Sequence, residues 1–133
     1  MNQIEQSRLT DLENALREMP NHVTEMPVEH YQIEGVYCRS LFIPAGMCAV
    51  GKVHNHEHIA ILAQGTMRIF DEEFTAPHIC ITPAGTKRAV YAVTDCTFIN
   101  VIRTDLTEIT EIEAEAVSST FEEFENRKLL CHS

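Results

Sequence analysis

The sequence lacks the signatures of several large functional classes. Its five cysteines (Cys38, Cys48, Cys80, Cys96 and Cys131) contain no CxxC pair, and an odd, scattered set is neither a disulfide framework nor a thiolate zinc site. Cations are scarce: ten Lys and Arg stand against twenty Asp and Glu. The resulting formal net charge of -10 disfavours generic nucleic-acid binding or an anionic membrane surface, while leaving room for a local basic pocket. No apolar run approaches the ~20 residues needed to cross a bilayer. Residues 1–5, MNQIE, lack the basic-then-apolar pattern of a secretory leader, so a cytoplasmic protein is expected. A glycine-rich phosphate loop, a GxSxG elbow and an HExxH helix are also missing, which removes support for nucleotide-hydrolase, serine-hydrolase and zincin chemistry. The acidic stretch from Asp105 to Glu125 has no DxDxDG-like calcium loop and reads as solvated surface.

The 133 residues suit one domain with a real core. Residues 1–20 read as an amphipathic N-terminal helix, with Ile4, Leu12, Leu16 and Met19 near one face, an Asn2 and Glu5 capping box, and Pro20 as its stop. It is expected to serve packing or dimerisation. Residues 21–117 change to short runs rich in Val, Ile, Thr, Tyr and Phe, broken by turn signals that include Pro44-Ala45-Gly46 and Pro83-Ala84-Gly85. Strands are predicted at 31–33, 36–43, 49–56, 58–63, 66–71, 78–82, 88–93, 96–104 and 108–116. Many short strands without intervening helices imply an all-β antiparallel sandwich or barrel. Residues 118–133 form a short C-terminal helical tail, started by Thr120 with Glu123.

The run His54-Asn55-His56-Glu57-His58 places three of seven histidines at alternate positions. On a continuous strand, all three rings would share one face. Each imidazole needs hydrogen-bond partners when buried, so such a cluster is a poor core and a good metal site. His54, His56 and His58 are therefore candidate ligands for one divalent Fe, Mn, Ni or Zn ion. Glu57 alternates to the other face and is a poor general base. Tyr37, Tyr91 and Phe98 are secondary candidates for a barrel mouth, with Tyr91 favoured because it lies three residues after Arg88. His78 reads as a capped or half-buried ring; His22, His30 and His132 read as exposed.

These residues resemble the cupin superfamily over roughly residues 40–103. Counting back from Gly65, the first cupin motif would place His58 in its glutamate position, His54 in its second histidine position and Lys52 in its first. The second motif resembles Pro83-Ala84-Gly85-Thr86-Lys87-Arg88, with Arg88 where a histidine is usual. The resemblance implies a single-domain jelly-roll barrel. More closely, the runs Gly-Lys-Val-His-x-x-x-His, Ala-Pro-His and Ala-Gly-Thr-Lys-Arg are similar to small cupin-like bacteriophage proteins of unassigned activity, which implies expression in a bacterial cytoplasm.

Where the cupin pattern has metal ligands, Lys52 and Arg88 supply cations that oppose a metal and favour an anion. The leading expectation is a binding pocket of Lys52, His54, His58, Arg88 and Tyr91 for a small carboxylate, phosphate or nucleotide-like ligand, with sequestration of a host metabolite or defence signal as one use. A second register keeps His54, His56 and His58 as a metal site, with Arg88 orienting an acidic substrate for isomerase, dioxygenase or lyase chemistry. A third class is a virion or assembly component acting through its terminal helices. A homodimer is expected from the small barrel and its amphipathic ends.

Overall fold

The computed structural model describes residues 1–20 and 26–131, and the side chains of 1–20 and 26–129. His22 and His132 lie outside the described residues. The chain runs α1 (Gln3–Glu18), β1 (Val28–Ile33), β2 (Val36–Ile43), β3 (Cys48–Val50), β4 (Val53–His54), β5 (His58–Gln64), β6 (Thr66–Ile69), β7 (Glu72–Thr75), β8 (His78–Thr82), β9 (Ala89–Ala92), β10 (Cys96–Arg103), α2 (Ile109–Ala116), β11 (Val117–Ser118) and α3 (Phe121–Cys131).

The strands form a five-stranded sheet in the order β1-β2-β10-β5-β8 and a four-stranded sheet in the order β3-β9-β6-β7, with a small β11-β4 ladder. Every pairing is antiparallel. Period-2 alternation explains the core: Ile43, Ala60, Leu62, Met67, Val90, Ala92, Cys96 and Phe98 pack together between the sheets. The all-β antiparallel sandwich or barrel expected from the strand-rich texture is what the chain forms, in line with the jelly-roll that the cupin resemblance implies, with helices at both ends.

The terminal helices begin where their caps place them. In α1 the Glu5 amide donates to Asn2 Oδ1 at 2.8 Å and the Asn2 amide donates back to Glu5 at 2.8 Å. The fully buried contact of α1 is Leu9, whereas Ile4 and Met19 are exposed. In α3 the Glu123 amide donates to Thr120 Oγ1, and Glu123 accepts from the Ser119 amide. Lys87 ties these ends to the barrel. It is buried, donates to Glu13 of α1 at 3.1 Å, and lies over the Phe121 ring of α3.

Three predicted elements require correction. The strand predicted at 49–56 breaks into β3 and β4, and residues 55–57 bend away. The strand predicted at 108–116 is helix α2; Ile112 and Ala116 are its buried residues, and its last turns are Glu and Ala, strong helix formers. Residues 72–75, read as a break, form β7, which pairs with β6 around a turn at Phe70, a residue with φ of 56°.

Candidate functional site

The register of the five-stranded sheet stacks its inward side chains in rows. Asn100 of β10 lies opposite Arg39 of β2 on one side and Ala60 of β5 on the other, and Ala60 lies opposite Cys80 of β8. In the next row His58 lies opposite Thr82, and Tyr37 opposite Ile102. A polar layer of Tyr37, Arg39, His58, Cys80, Thr82 and Asn100 thus sits at one end of the barrel, next to the apolar row of Leu41, Phe98 and Leu62.

Two further groups reach this layer from outside the sheet. His54, at the end of β4, packs its ring against that of His58 with centroids 4.3 Å apart. Its backbone is fixed by the Thr86 carbonyl and the Gly85 amide, so the Pro83-Ala84-Gly85 turn sets its position. Arg88 follows that turn, lies over the Phe98 ring at 5.9 Å, and donates to Cys80 Sγ at 3.6 Å.

Burial governs the charges here. His54 is held neutral, its pKa pushed down to about 3 by desolvation and then by His58, Arg88 and Arg39. Burial also lowers the pKa of His58, opposed by hydrogen bonds to the His56 carbonyl and to Asn100. Both ring nitrogens of His58 face the oxygens of those partners, at 3.3 Å and 3.2 Å. A neutral imidazole has only one N–H, so it donates to one of these oxygens at a time. Among the described residues, the ring nitrogens of His54 have no hydrogen-bond partner and Arg88 has no carboxylate partner. The buried Thr82 hydroxyl beside His58 also has none.

The structure brings His54, His58 and Arg88 together and separates the other expected site residues from them. His56 points outward: the bend at 55–57 breaks the alternation that would have aligned it, and its Nε2 lies 2.9 Å from Glu115, which also binds Arg127 at 2.7 Å. Tyr91 is exposed between inward Val90 and Ala92, so it does not line the barrel. Lys52 is exposed in the link between β3 and β4. His30 is exposed, as expected, and stands on β1, where its Nδ1 hydrogen-bonds the buried Tyr37 hydroxyl. His78 is half-buried and stacks on Phe74.

Sequence reasoning did not single out Arg39 and Asn100, which only the strand register brings to the site. Helix α2 was also misassigned. Its Glu113 lies 3.9 Å from Arg39 and raises the pKa of Tyr37, whose own burial is the larger cause. Asn55 accepts from Ser118 and donates to the Glu115 carbonyl, joining α2 and β11 to the bend. Helix α2 therefore bridges β2 and the bend at the polar end of the barrel.

A divalent metal does not fit this donor set. Among the described residues, no three His, Cys, Asp or Glu side chains converge. Each nitrogen of His58 faces a protein oxygen, and two guanidiniums act on His54. The expected site of His54, His56 and His58 for Fe, Mn, Ni or Zn is not assembled. Two clefts lie elsewhere, one of about 560 Å³ beside Gln32 and Leu106 and one of about 350 Å³ beside Gly85 and Phe124. Neither includes His54, His58 or Arg88.

The neutral state of His54 has a pH consequence. The folded ring stays uncharged down to about 3, whereas an unfolded histidine titrates near 6.5. Because the folded pKa is depressed, the stabilisation is fully present above pH 6.5 and is lost as pH falls from 6.5 towards 3. Urea unfolding should show wild type losing up to about 2 kcal/mol between about pH 7 and about pH 5 through this ring. The variant His54→Gln should lack that component; an unchanged slope would refute it.

No protein-family model matches the chain, and no curated protein matches it in sequence. Solved structures do match. An RmlC-like cupin protein from Ralstonia eutropha is 19% identical over 64% of this chain and 60% of its own, with a TM-score of 0.51. A cupin-family protein from Methanocaldococcus jannaschii with a double-stranded β-helix fold is 18% identical over 66% of this chain and 88% of its own, with a TM-score of 0.47. An acetylacetone dioxygenase from Acinetobacter johnsonii is 14% identical over 57% and 58%, with a TM-score of 0.49. The chain spans about three fifths of the length of the Ralstonia and Acinetobacter proteins. At such identity the likeness to the Ralstonia protein shows the fold alone: this chain has the RmlC-like cupin fold, an antiparallel β-barrel flanked by helices.

Proposed function

We propose that this cupin-fold protein binds a small anionic molecule, a carboxylate, phosphate or nucleotide-like ligand, at the polar end of its barrel. The observation that carries the reading is Arg88. Its side chain is partly buried and partly desolvated, and among the described residues it contacts a thiol and a phenyl ring and no carboxylate. A cation withdrawn from water without a counter-ion is destabilising by itself, so an anion that completes it gains strongly. His54 offers unpaired imidazole nitrogens beside it, and Thr82 offers a hydroxyl without a partner. Arg39 supplies a second positive charge, held by Glu113 until a ligand competes for it. A neutral His54 keeps these hydrogen bonds available throughout the physiological pH range. Such a site suits capture and sequestration of a metabolite or signal.

Thermal unfolding in phosphate, acetate, citrate and nucleoside monophosphates, at chloride-matched ionic strength, tests this. At least one of these anions should raise the Tm in a saturable way, by several degrees at ligand well above its Kd. Uniform behaviour in all these salts would count against the proposal. So would stoichiometric uptake of Zn, Mn, Ni or Fe by untagged protein that is lost in His54→Ala.

A further inference from the structure

The outer face of the five-stranded sheet is apolar where a solvated face should be polar. In β8 the inward residues are His78, Cys80 and Thr82, and the outward ones are Ile79 and Ile81. In β5 the outward residues are Ile59 and Ile61. The register joins them: Ile59 lies opposite Ile81 and Val101, and Ile61 opposite Ile79 and Ile99. Cys38 and Tyr31 extend the row of Val101 across β2 and β1. An antiparallel sheet with one face in water normally alternates apolar-in with polar-out, and apolar residues on both faces mark a sheet covered on both sides.

We infer that this face is the interface of an isologous homodimer, with the sheet of a second copy of this chain packed against it. Tyr31, Ile33, Ile59, Ile79 and Ile81 are 56%, 72%, 44%, 66% and 66% exposed. At about 200 Å² for a large, fully exposed side chain, these five present on the order of 600 Å². Phe42, 37% exposed, and the partly exposed Ile61, Ile99 and Val101 extend the face towards the ~800 Å² that each partner contributes to a stable interface. Unpartnered patches of that size are uncommon on monomers. The rim favours a copy of the same chain over a partner of different charge. Among the described residues, the charged side chains on this face are Glu29 and Arg103, of opposite sign, so a two-fold axis can set each against its complement. Among the described residues, β2, β5 and β8 carry no acidic side chain, which limits repulsion between copies along these strands. Two such β-branched surfaces interdigitate as stacked sheets do, about 10 Å apart. The N-terminal helix, expected to serve packing or dimerisation, packs on its own barrel through Leu9 and the Glu13–Lys87 pair.

Sedimentation velocity of the full chain across the micromolar range should show a dimer of the 15.1 kDa chain. The paired variant Ile79→Lys/Ile81→Lys, at two exposed positions on an edge strand, should keep the far-ultraviolet spectrum and raise the dimer Kd at least about a hundredfold by forcing unpaired ammonium groups into the interface. Ile4→Lys, on the exposed side of α1, should leave the dimer intact. If the lysine pair prevents folding, Ile79→Thr/Ile81→Thr keeps the β-branching and should weaken association about tenfold. A monomeric wild type, a dimer indifferent to both pairs, or a dimer lost through Ile4→Lys would each overturn the inference.

Discussion

Gly65→Ala is expected to leave the chain largely unfolded or insoluble, with a loss of about 4 kcal/mol or more, a large part of the stability of a domain this size. Gly65 joins β5 of one sheet to β6 of the other at a φ of +92°. A Cβ there would lie 2.2 Å from the Asp95 carbonyl oxygen and 2.9 Å from both Cys96 Sγ and Thr94 Oγ1. The nearest atom is backbone, and Thr94 and Cys96 are already engaged, with the Thr66 amide and carbonyl respectively. Relief would require moving the start of β10. Gly46 separates this clash from backbone strain: it has a similar φ of +84° but nothing within 4 Å of a Cβ. Gly46→Ala should therefore cost only about 1–2 kcal/mol, the price of a left-handed alanine. Urea unfolding of the two variants checks the contrast, and equal losses would show that conformation rather than contact dominates.

Arg88→Met should abolish the anion-dependent rise in Tm, weakening binding about a hundredfold or more, while making the unliganded protein more stable by about 1 kcal/mol. The two effects have one cause. The guanidinium is partly buried without an ionic partner among the described residues, and that desolvation lowers its pKa. A thioether of similar length fits beside Cys80 and Phe98 without that penalty. Calorimetric titration with the best anion and unfolding without it provide both readings. A variant that loses stability but keeps the ligand would show Arg88 to be a structural residue.

Much of the barrel was legible because its strands are short and β-branched: β2 and β8 occupy the predicted residues, 36–43 and 78–82. His54, His58 and Arg88, which the cupin resemblance brought forward by their spacing from Gly65 and from the Pro83-Ala84-Gly85 turn, do lie together. His56 could not be placed correctly, because the bend that turns it outward is held by Asn55 bonding Glu115 and Ser118, about sixty residues away. Helix α2 was hidden for a related reason. Its Ile, Thr and alternating Glu and Ala satisfy a strand pattern as readily as a helical one, and only burial of Ile112 and Ala116 decides between them. Lys87 adjoins Arg88 in sequence, yet one is a tie between helices and the other faces the barrel interior.

The rows inside the barrel also divide its labour. Below the polar layer, the packed group from Ile43 to Phe98 carries the hydrophobic stabilisation, and it contains none of His54, His58, Arg39 or Arg88. Residues that share no partners contribute nearly independently. The upper layer can therefore be exchanged for other polar side chains, and ligand preference can drift while the scaffold persists. Phe98 belongs to both layers: it is part of the core and it forms the floor under Arg88. At that ring a change of specificity would become a change of fold stability, which makes it the position where the two traits cannot vary separately.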